Sequence, residues 1–136
     1  MKSVLLIILS SILILSCGNN DKKRPQTALD TGRDFIRASL DGNFKDAETL
    51  LLKDTQNIQL FDSYKTYYSR LPADEKTNYK TASYEINKYL DVNDSTAIIN
   101  YSNSFMKTPL EIKLVRSNKN WAVDFKYTYA GNVPIE

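Results

Sequence analysis

Hydrophobic and polar residues change their spacing three times along this chain. Residues 4–15 are apolar except for Ser10 and Ser11, and residues 18–26 are polar without apolar period. From position 28 to 71 apolar residues recur at three- and four-residue steps, and from 84 to 127 they alternate with a period of two. The first periodic half therefore predicts helices and the second predicts strands.

Ala28, Leu29, Phe35, Ile36 and Leu40 share one face of a first helix, and Asp41, Gly42 and Asn43 end it, with glycine suited to a left-handed cap. Asn43 can cap a shorter second helix carrying Phe44, Ala47, Leu50 and Leu51, so the two form a hairpin. A third helix is predicted over 56–70, with Ile58, Phe61, Tyr64, Tyr68 and Leu71 along its apolar stripe. Pro72 ends it and, followed by Asp74 and Glu75, can start one further turn.

The first strand then places Tyr84, Ile86 and Leu90 on one face, against Ser83, Glu85 and Asn87 on the other. Residues 91–95 turn into a strand over 96–104, and the next strand sets Leu110, Ile112 and Leu114 against Glu111 and Lys113. Residues 117–120 form a hairpin into a fourth strand, where Trp121, read as core, Val123, Phe125 and Tyr127 alternate with Ala122, Asp124 and Lys126. Three helices followed by four sequential half-buried strands predict an α+β fold, with N-terminal helices packed on a four-stranded antiparallel sheet. One domain over 27–128 and a C-terminal tail over 129–136 account for the chain after its tether, and a domain of that length can bury a sufficient core.

The leading apolar stretch, preceded by Lys2 and followed by Ser16, has the layout of an export signal. As a helix it would reach roughly 18 Å at about 1.5 Å per residue, short of a hydrocarbon core about 30 Å thick. Ile14, Leu15, Ser16 and Cys17 resemble the bacterial lipobox, although leucine is a less usual residue at its second position. The resemblance implies removal of residues 1–16 and lipidation of Cys17, whose acyl chains would anchor the protein to a membrane. The alternative is a plain secretory signal that leaves Cys17 as an unpaired thiol. Residues 17–26 are then a short flexible tether, with Lys22, Lys23 and Arg24 read as solvated rather than as headgroup contacts. Gly18 stands where an inner-membrane retention signal often has aspartate, which points, in a Gram-negative cell, to the outer membrane.

Loss of residues 1–16 removes Lys2 and leaves 17 basic against 16 acidic residues, a balance with no nucleic-acid footprint. The chain has no histidine and its one cysteine is Cys17, so histidine-assisted nucleophiles and the commonest zinc ligands are excluded. Neither a metal nor another cofactor is expected. Asp91, Asn93 and Asp94 invite a calcium loop, yet Thr96 and Ser102 stand where its glycine and closing glutamate belong, so a plain turn is preferred. Asp94, Ser95 and Thr96 also resemble a bacterial O-glycosylation triplet, a pattern short enough to recur by chance.

Phe35 to Ala38, the 41–47 connection and the terminal hairpin around Leu114, Val115, Arg116 and Trp121 to Asp124 resemble small bacterial lipoproteins of the DUF4878 type. That resemblance implies the NTF2-like, cystatin-like fold, in which a curved sheet wraps its helices and leaves a cone whose mouth often holds a pocket. Some NTF2-like domains are enzymes there, with aspartate, histidine or tyrosine in an apolar pocket. Asp62, Tyr64, Tyr67, Tyr68, Tyr84 and Tyr101 are the groups available for such chemistry here, but their spacing sets no acid beside a base, and no catalytic residue is assigned.

Nine tyrosines suit partly wet pockets and interfaces. Tyr64, Tyr67 and Tyr68, with Lys65 and Arg70 nearby, and Tyr101 form the candidate ligand-binding set, although Tyr64 and Tyr68 read more simply as core residues one turn apart. The expected function is a membrane-anchored envelope lipoprotein with a non-catalytic module for a small molecule or a protein partner. The alternatives are a pocket enzyme with a tyrosine–aspartate pair and a structural subunit of an envelope assembly. A ligand module needs an apolar cavity with a few convergent polar groups, an assembly subunit an exposed apolar patch, and an enzyme a carboxylate of raised pKa beside a pocket tyrosine.

Overall fold

A computed structural model describes residues 23–131. The expected export signal, Cys17, the expected tether up to residue 22 and residues 132–136 lie outside the described residues, whereas residues 129–131 of the expected tail are helical. Helices α1 (Ala28–Leu40), α2 (Phe44–Thr49), α3 (Thr55–Arg70) and α4 (Ala73–Thr81) precede strands β1 (Tyr84–Asn93), β2 (Thr96–Asn103), β3 (Leu110–Ser117) and β4 (Asn120–Asp124), and helix α5 (Phe125–Gly131) follows. The strands form one antiparallel sheet in the order β1-β2-β3-β4, with the helices packed against it, so the fold is α+β. Among the described residues no helix is long and apolar enough to cross a membrane.

Helix α1 begins where Thr27 Oγ1 accepts a hydrogen bond from the Asp30 amide and donates one to Asp30 Oδ2, a capping arrangement that satisfies an otherwise orphaned donor. It ends on Gly42, at φ 69°, with the Asn43 amide donating to Ala38 O and the Gly42 amide to Ser39 O. Those two bonds are a Schellman cap, which needs the left-handed residue that glycine supplies. The face so fixed lays Phe35 and Ile36 over Ile99, Ile112, Leu114 and Val123. At Gly32 the approach is so close that a Cβ would lie 2.2 Å from Ile99 Cδ1.

At the β4 edge the Leu52 amide donates to Val123 O and the Val123 amide to Leu50 O. The residues after α2 thus lie parallel to β4 and cover an edge that would otherwise present unpaired backbone groups. Leu50 and Leu51, expected within the second helix, follow it instead as this covering segment. The β3–β4 turn has positive φ at Asn118 and Lys119, which matches the twist of a two-residue hairpin.

Several expectations need correction. The single turn after Pro72 is a nine-residue helix, α4, whose end is tied down by Arg37 Nη1 and Nη2 donating to Ala82 O and Lys80 O. Leu90 does not share the inward face with Tyr84 and Ile86. A bulge between Ile86 and Lys88 advances the strand by one residue, so Tyr89 pairs with Ile99 and Leu90 with Ile98, and Leu90 is 45% exposed. On α3 the stripe starts at Asn57, fully buried, while Ile58 is 43% exposed. Trp121 is only partly buried against the core, next to the β3–β4 turn where it pairs with Arg116. Arg24 is docked rather than free in a tether: its Nη1 donates to Thr49 O at 3.0 Å and its Nη2 to Trp121 O at 3.1 Å.

The largest correction concerns the last strand, which stops at Asp124 and gives way to α5. The cause is Asn57. Its Oδ1 accepts from the Lys126 amide at 2.8 Å and so caps the new helix, while its Nδ2 donates to Asp124 Oδ1 at 3.2 Å and to Asp54 Oδ2 at 2.9 Å. Asp54 in turn caps α3 by accepting from the Asn57 amide, and Lys126 Nζ donates to it at 2.7 Å. This bond to Lys126 is the main reason the Asp54 carboxyl sits below the ordinary carboxylate range.

Candidate functional site

Between the helices and the sheet lies a cavity of about 100 Å³. Phe35, Ser39 and Leu40 of α1, Tyr64 and Tyr67 of α3 and Tyr79 of α4 form one side. Tyr101, Asn103, Leu110 and Ile112 of the sheet, with Met106 and α5 residues Phe125 and Thr128, form the other. The amphipathic pattern produces this arrangement directly. Tyr64 stands three residues beyond Phe61 on the inward stripe of α3, and Tyr101 stands two beyond Ile99 on the inward face of β2.

Aromatic packing holds the walls. Phe61 is buried behind the cavity, with its ring centroid 5.9 Å from Phe35, 5.9 Å from Tyr64 and 5.2 Å from Phe125. Tyr79 and Phe105 meet edge to face at 4.8 Å. The loop bearing Phe105 and Met106 is set by Asn103 Oδ1, which accepts from both of their amides, at 3.0 and 2.8 Å. Tyr67, 51% exposed, stands at the solvent end of the lining.

The polar side chains of the lining are hydroxyl-bearing, apart from the Asn103 carboxamide. Ser39 Oγ and Thr128 Oγ1 are buried and, among the described residues, have no hydrogen-bond partner. Burial is the leading cause that pushes the Tyr64 and Tyr101 phenols far above their ordinary value, and neighbouring tyrosines add to it: Tyr101, Tyr79, Tyr68 and Tyr67 for Tyr64, Tyr79 for Tyr101. Tyr79 is shifted the same way, chiefly by burial. Among the described residues the lining contains no carboxylate, lysine or arginine. At neutral pH the described lining thus offers neutral hydroxyls and the Asn103 carboxamide on an aromatic and aliphatic surface, groups that can orient a ligand and are not ready bases.

Tyr64, Tyr67 and Tyr101 of the expected set are brought together here. Tyr68 is not; it packs on Phe44 and Tyr79, with its hydroxyl against Gly42, and braces the α1–α2 corner. Asp62 pairs with Lys65 on the surface at 2.7 Å, and Tyr84 packs against the core without lining the cavity. Sequence reasoning missed Ser39, Tyr79, Asn103 and Thr128. Ser39 was detectable, because it follows Phe35 by four residues and Ile36 by three and so occupies a core-facing position with a polar side chain. Tyr79 lies on a helix without an apolar stripe, and Thr128 lies beyond the end expected for a strand.

The raised tyrosines make a test in alkali. Because the folded-state pKa exceeds the unfolded value of 10.0, the native chain retains protons that the unfolded chain releases. Stability from this source is complete below about pH 10 and falls as pH rises beyond it. In a phenolate absorbance titration, Tyr64 and Tyr101 are expected to ionise only together with unfolding, whereas the Tyr64→Phe and Tyr101→Phe variants each lose one late-titrating group. Reversible ionisation of all nine tyrosines in the folded chain near the ordinary pKa would contradict the placement of Tyr64 and Tyr101, partly buried against the core.

Comparison of the chain with models of known protein families, with curated proteins and with solved structures finds no match.

Proposed function

We propose that the chain is a bacterial envelope lipoprotein, anchored through acylated Cys17, whose domain is a non-catalytic binding module holding a small molecule between helices and sheet. The carrying observation is the cavity: apolar and aromatic walls from α1, α3, α4, β2, β3 and α5, with a few polar side chains, Asn103, Tyr64 and Tyr101 among them, in the lining. A helix hairpin, two further helices and a four-stranded meander around such a cavity support the NTF2-like reading and the kinship with DUF4878-type lipoproteins. The lipobox-like residues 14–17, with Gly18 after them, support an outer-membrane anchor. Nothing in this reading requires a cofactor or a nucleic acid. A tyrosine–aspartate enzyme is disfavoured because no carboxylate among the described residues reaches the lining. A second reading, docking to an envelope protein, is favoured by Leu90 and Val92, both exposed on the free edge strand β1.

Native mass spectrometry of the full-length protein from the membrane fraction of its host tests both halves. The expected spectrum shows a chain beginning at acylated Cys17 and a reproducible further mass that is released on denaturation. An unacylated chain in the soluble fraction refutes the anchor, and an acylated chain with no further mass at any collision energy refutes the ligand.

A further inference from the structure

The inward face of β2 carries Ile99, Tyr101 and, two residues further on, Asn103, whose side chain is 4% exposed and lines the cavity. Its carboxamide is oriented by the chain itself. Oδ1 accepts from the Phe105 and Met106 amides, at 3.0 and 2.8 Å, which commits that oxygen and fixes which end of the group is nitrogen. Nδ2 has no hydrogen-bond partner among the described residues, and unlike the Ser39 and Thr128 hydroxyl oxygens it is not closed to water. In a side chain this buried, on the inward face and within the lining, the space open to Nδ2 is the cavity. An amide nitrogen donates and cannot accept, so this fixed polar point calls for an acceptor on whatever enters. An ionised group would be desolvated there without a counter-charge, since no lysine, arginine or carboxylate belongs to the described lining. Size sets a further bound. The cavity measures about 100 Å³. A dry protein cavity of roughly 150 Å³ accepts benzene, so this one encloses a molecule of about five or six heavy atoms.

Resting on the binding-module reading above, we infer that Asn103 is the specificity residue of the cavity, its Nδ2 donating to the carbonyl oxygen of a small, uncharged and otherwise apolar ligand. The rings of Phe35, Tyr64 and Phe125 supply the contact area, and the Phe105–Met106 amides hold the carboxamide in the donating orientation before the ligand arrives.

Cyclopentanone and methylenecyclopentane, in which a methylene group replaces the carbonyl oxygen, isolate the acceptor at constant shape. Full-length protein with labelled methyl groups and nitrogen-labelled carboxamides, in lipid nanodiscs, is titrated with each at neutral pH, with empty nanodiscs correcting for partition into lipid. Both are expected to shift the methyl resonances of Met106, Leu110 and Ile112, and only the ketone to move an Asn103 Nδ2 proton to lower field. The ketone is expected to bind about fivefold more tightly than the alkene, as one net hydrogen bond allows. Cyclopentylamine, an ammonium ion at neutral pH that brings donors alone, is expected to bind at least about a hundredfold more weakly than the ketone. Asn103→Asp keeps an oxygen for the Phe105 and Met106 amides, whose two bonds favour the ionised form, and puts an acceptor in place of Nδ2. In that variant the ratio of ketone to alkene affinity is expected to fall at least about tenfold while the alkene still binds. An alkene equalling the ketone, an Asn103 carboxamide that does not respond to the ketone, an ammonium ion bound as tightly, or a ratio preserved in Asn103→Asp overturns the inference while leaving a ligand cavity. The comparisons on the unaltered chain stand even if Asn103→Asp does not fold. If none of the probes moves the cavity methyls of the folded chain, the cavity admits no small molecule and the binding-module reading fails with the inference.

Discussion

Asn57→Ala is expected to lower the stability of the domain by about 2–4 kcal/mol, although the apolar pattern leaves that position off the core stripe of α3, which it starts at Ile58. The carboxamide is fully buried and serves three partners on three segments: the Asp54 carboxylate at the α3 cap, the Asp124 carboxylate at the end of β4, and the Lys126 amide in the first turn of α5. Truncation removes the cap of α5 and leaves the buried Asp124 with only longer-range help, from Lys126 Nζ at 3.4 Å and Lys113 Nζ at 3.7 Å. Ile58→Ala, one residue along, is expected to stay within about 0.5 kcal/mol, because that side chain faces solvent. Denaturant melts of the two variants, compared at equal m-value, measure the difference. Equal losses, or a larger loss at Ile58, would mean that α3 is rotated from the orientation described here.

The same pair of residues shows how far the sequence is readable. Local signals were sufficient for α1, where Thr27, the apolar face and Gly42 agree on start, orientation and stop. They were also sufficient for β3, whose Leu110, Ile112 and Leu114 are all buried. They failed where one residue's conformation depends on another far along the chain. The phase of β1 is reset by a bulge that only its pairing with β2 reveals, so Leu90 points outward. The alternation of Trp121, Val123 and Phe125 continues past Asp124 as a pattern, yet the backbone becomes helical because Asn57, 69 residues earlier, caps the Lys126 amide. Phe125 stays buried in either conformation, so its hydrophobicity could not distinguish them.

The cavity was legible to a similar depth. Tyr64, Tyr67 and Tyr101 stood out as rings with a polar end, but a tyrosine in a core and a tyrosine beside a cavity have the same sequence spacing. The difference lies in whether neighbouring side chains fill the remaining volume, which depends on packing between α1, α4, α5 and the sheet. Tyr68 illustrates the ambiguity from the other side: on the same inward stripe as Tyr64, it is absorbed by Phe44, Tyr79 and the Gly42 corner.

Phe61→Ala tests that packing account and links it to binding. The ring is 1% exposed and touches four aromatic neighbours, of which Phe35, Tyr64 and Phe125 also line the cavity. Phe61 thus fills the space behind the wall, and its removal should cost about 3–5 kcal/mol through lost burial and the void left behind. Because the surrounding rings are held from several elements, the void should collapse only in part and should open into the existing cavity through the gap between Phe35, Tyr64 and Phe125. The variant is therefore expected to melt well below the unaltered chain and to gain affinity for a neutral two-ring alcohol such as 2-naphthalenemethanol, which the unaltered cavity excludes by size. At a concentration one hundred times its Kd that compound would restore about 2.7 kcal/mol of the loss by linkage. Thermal melts with and without the compound read both effects. A loss under about 1 kcal/mol would show that Phe61 is not packed as described. A full loss without ligand rescue would show that the space behind the wall is not continuous with the cavity, and that the cavity's size is set by the sheet and α4 rather than by the aromatic cluster.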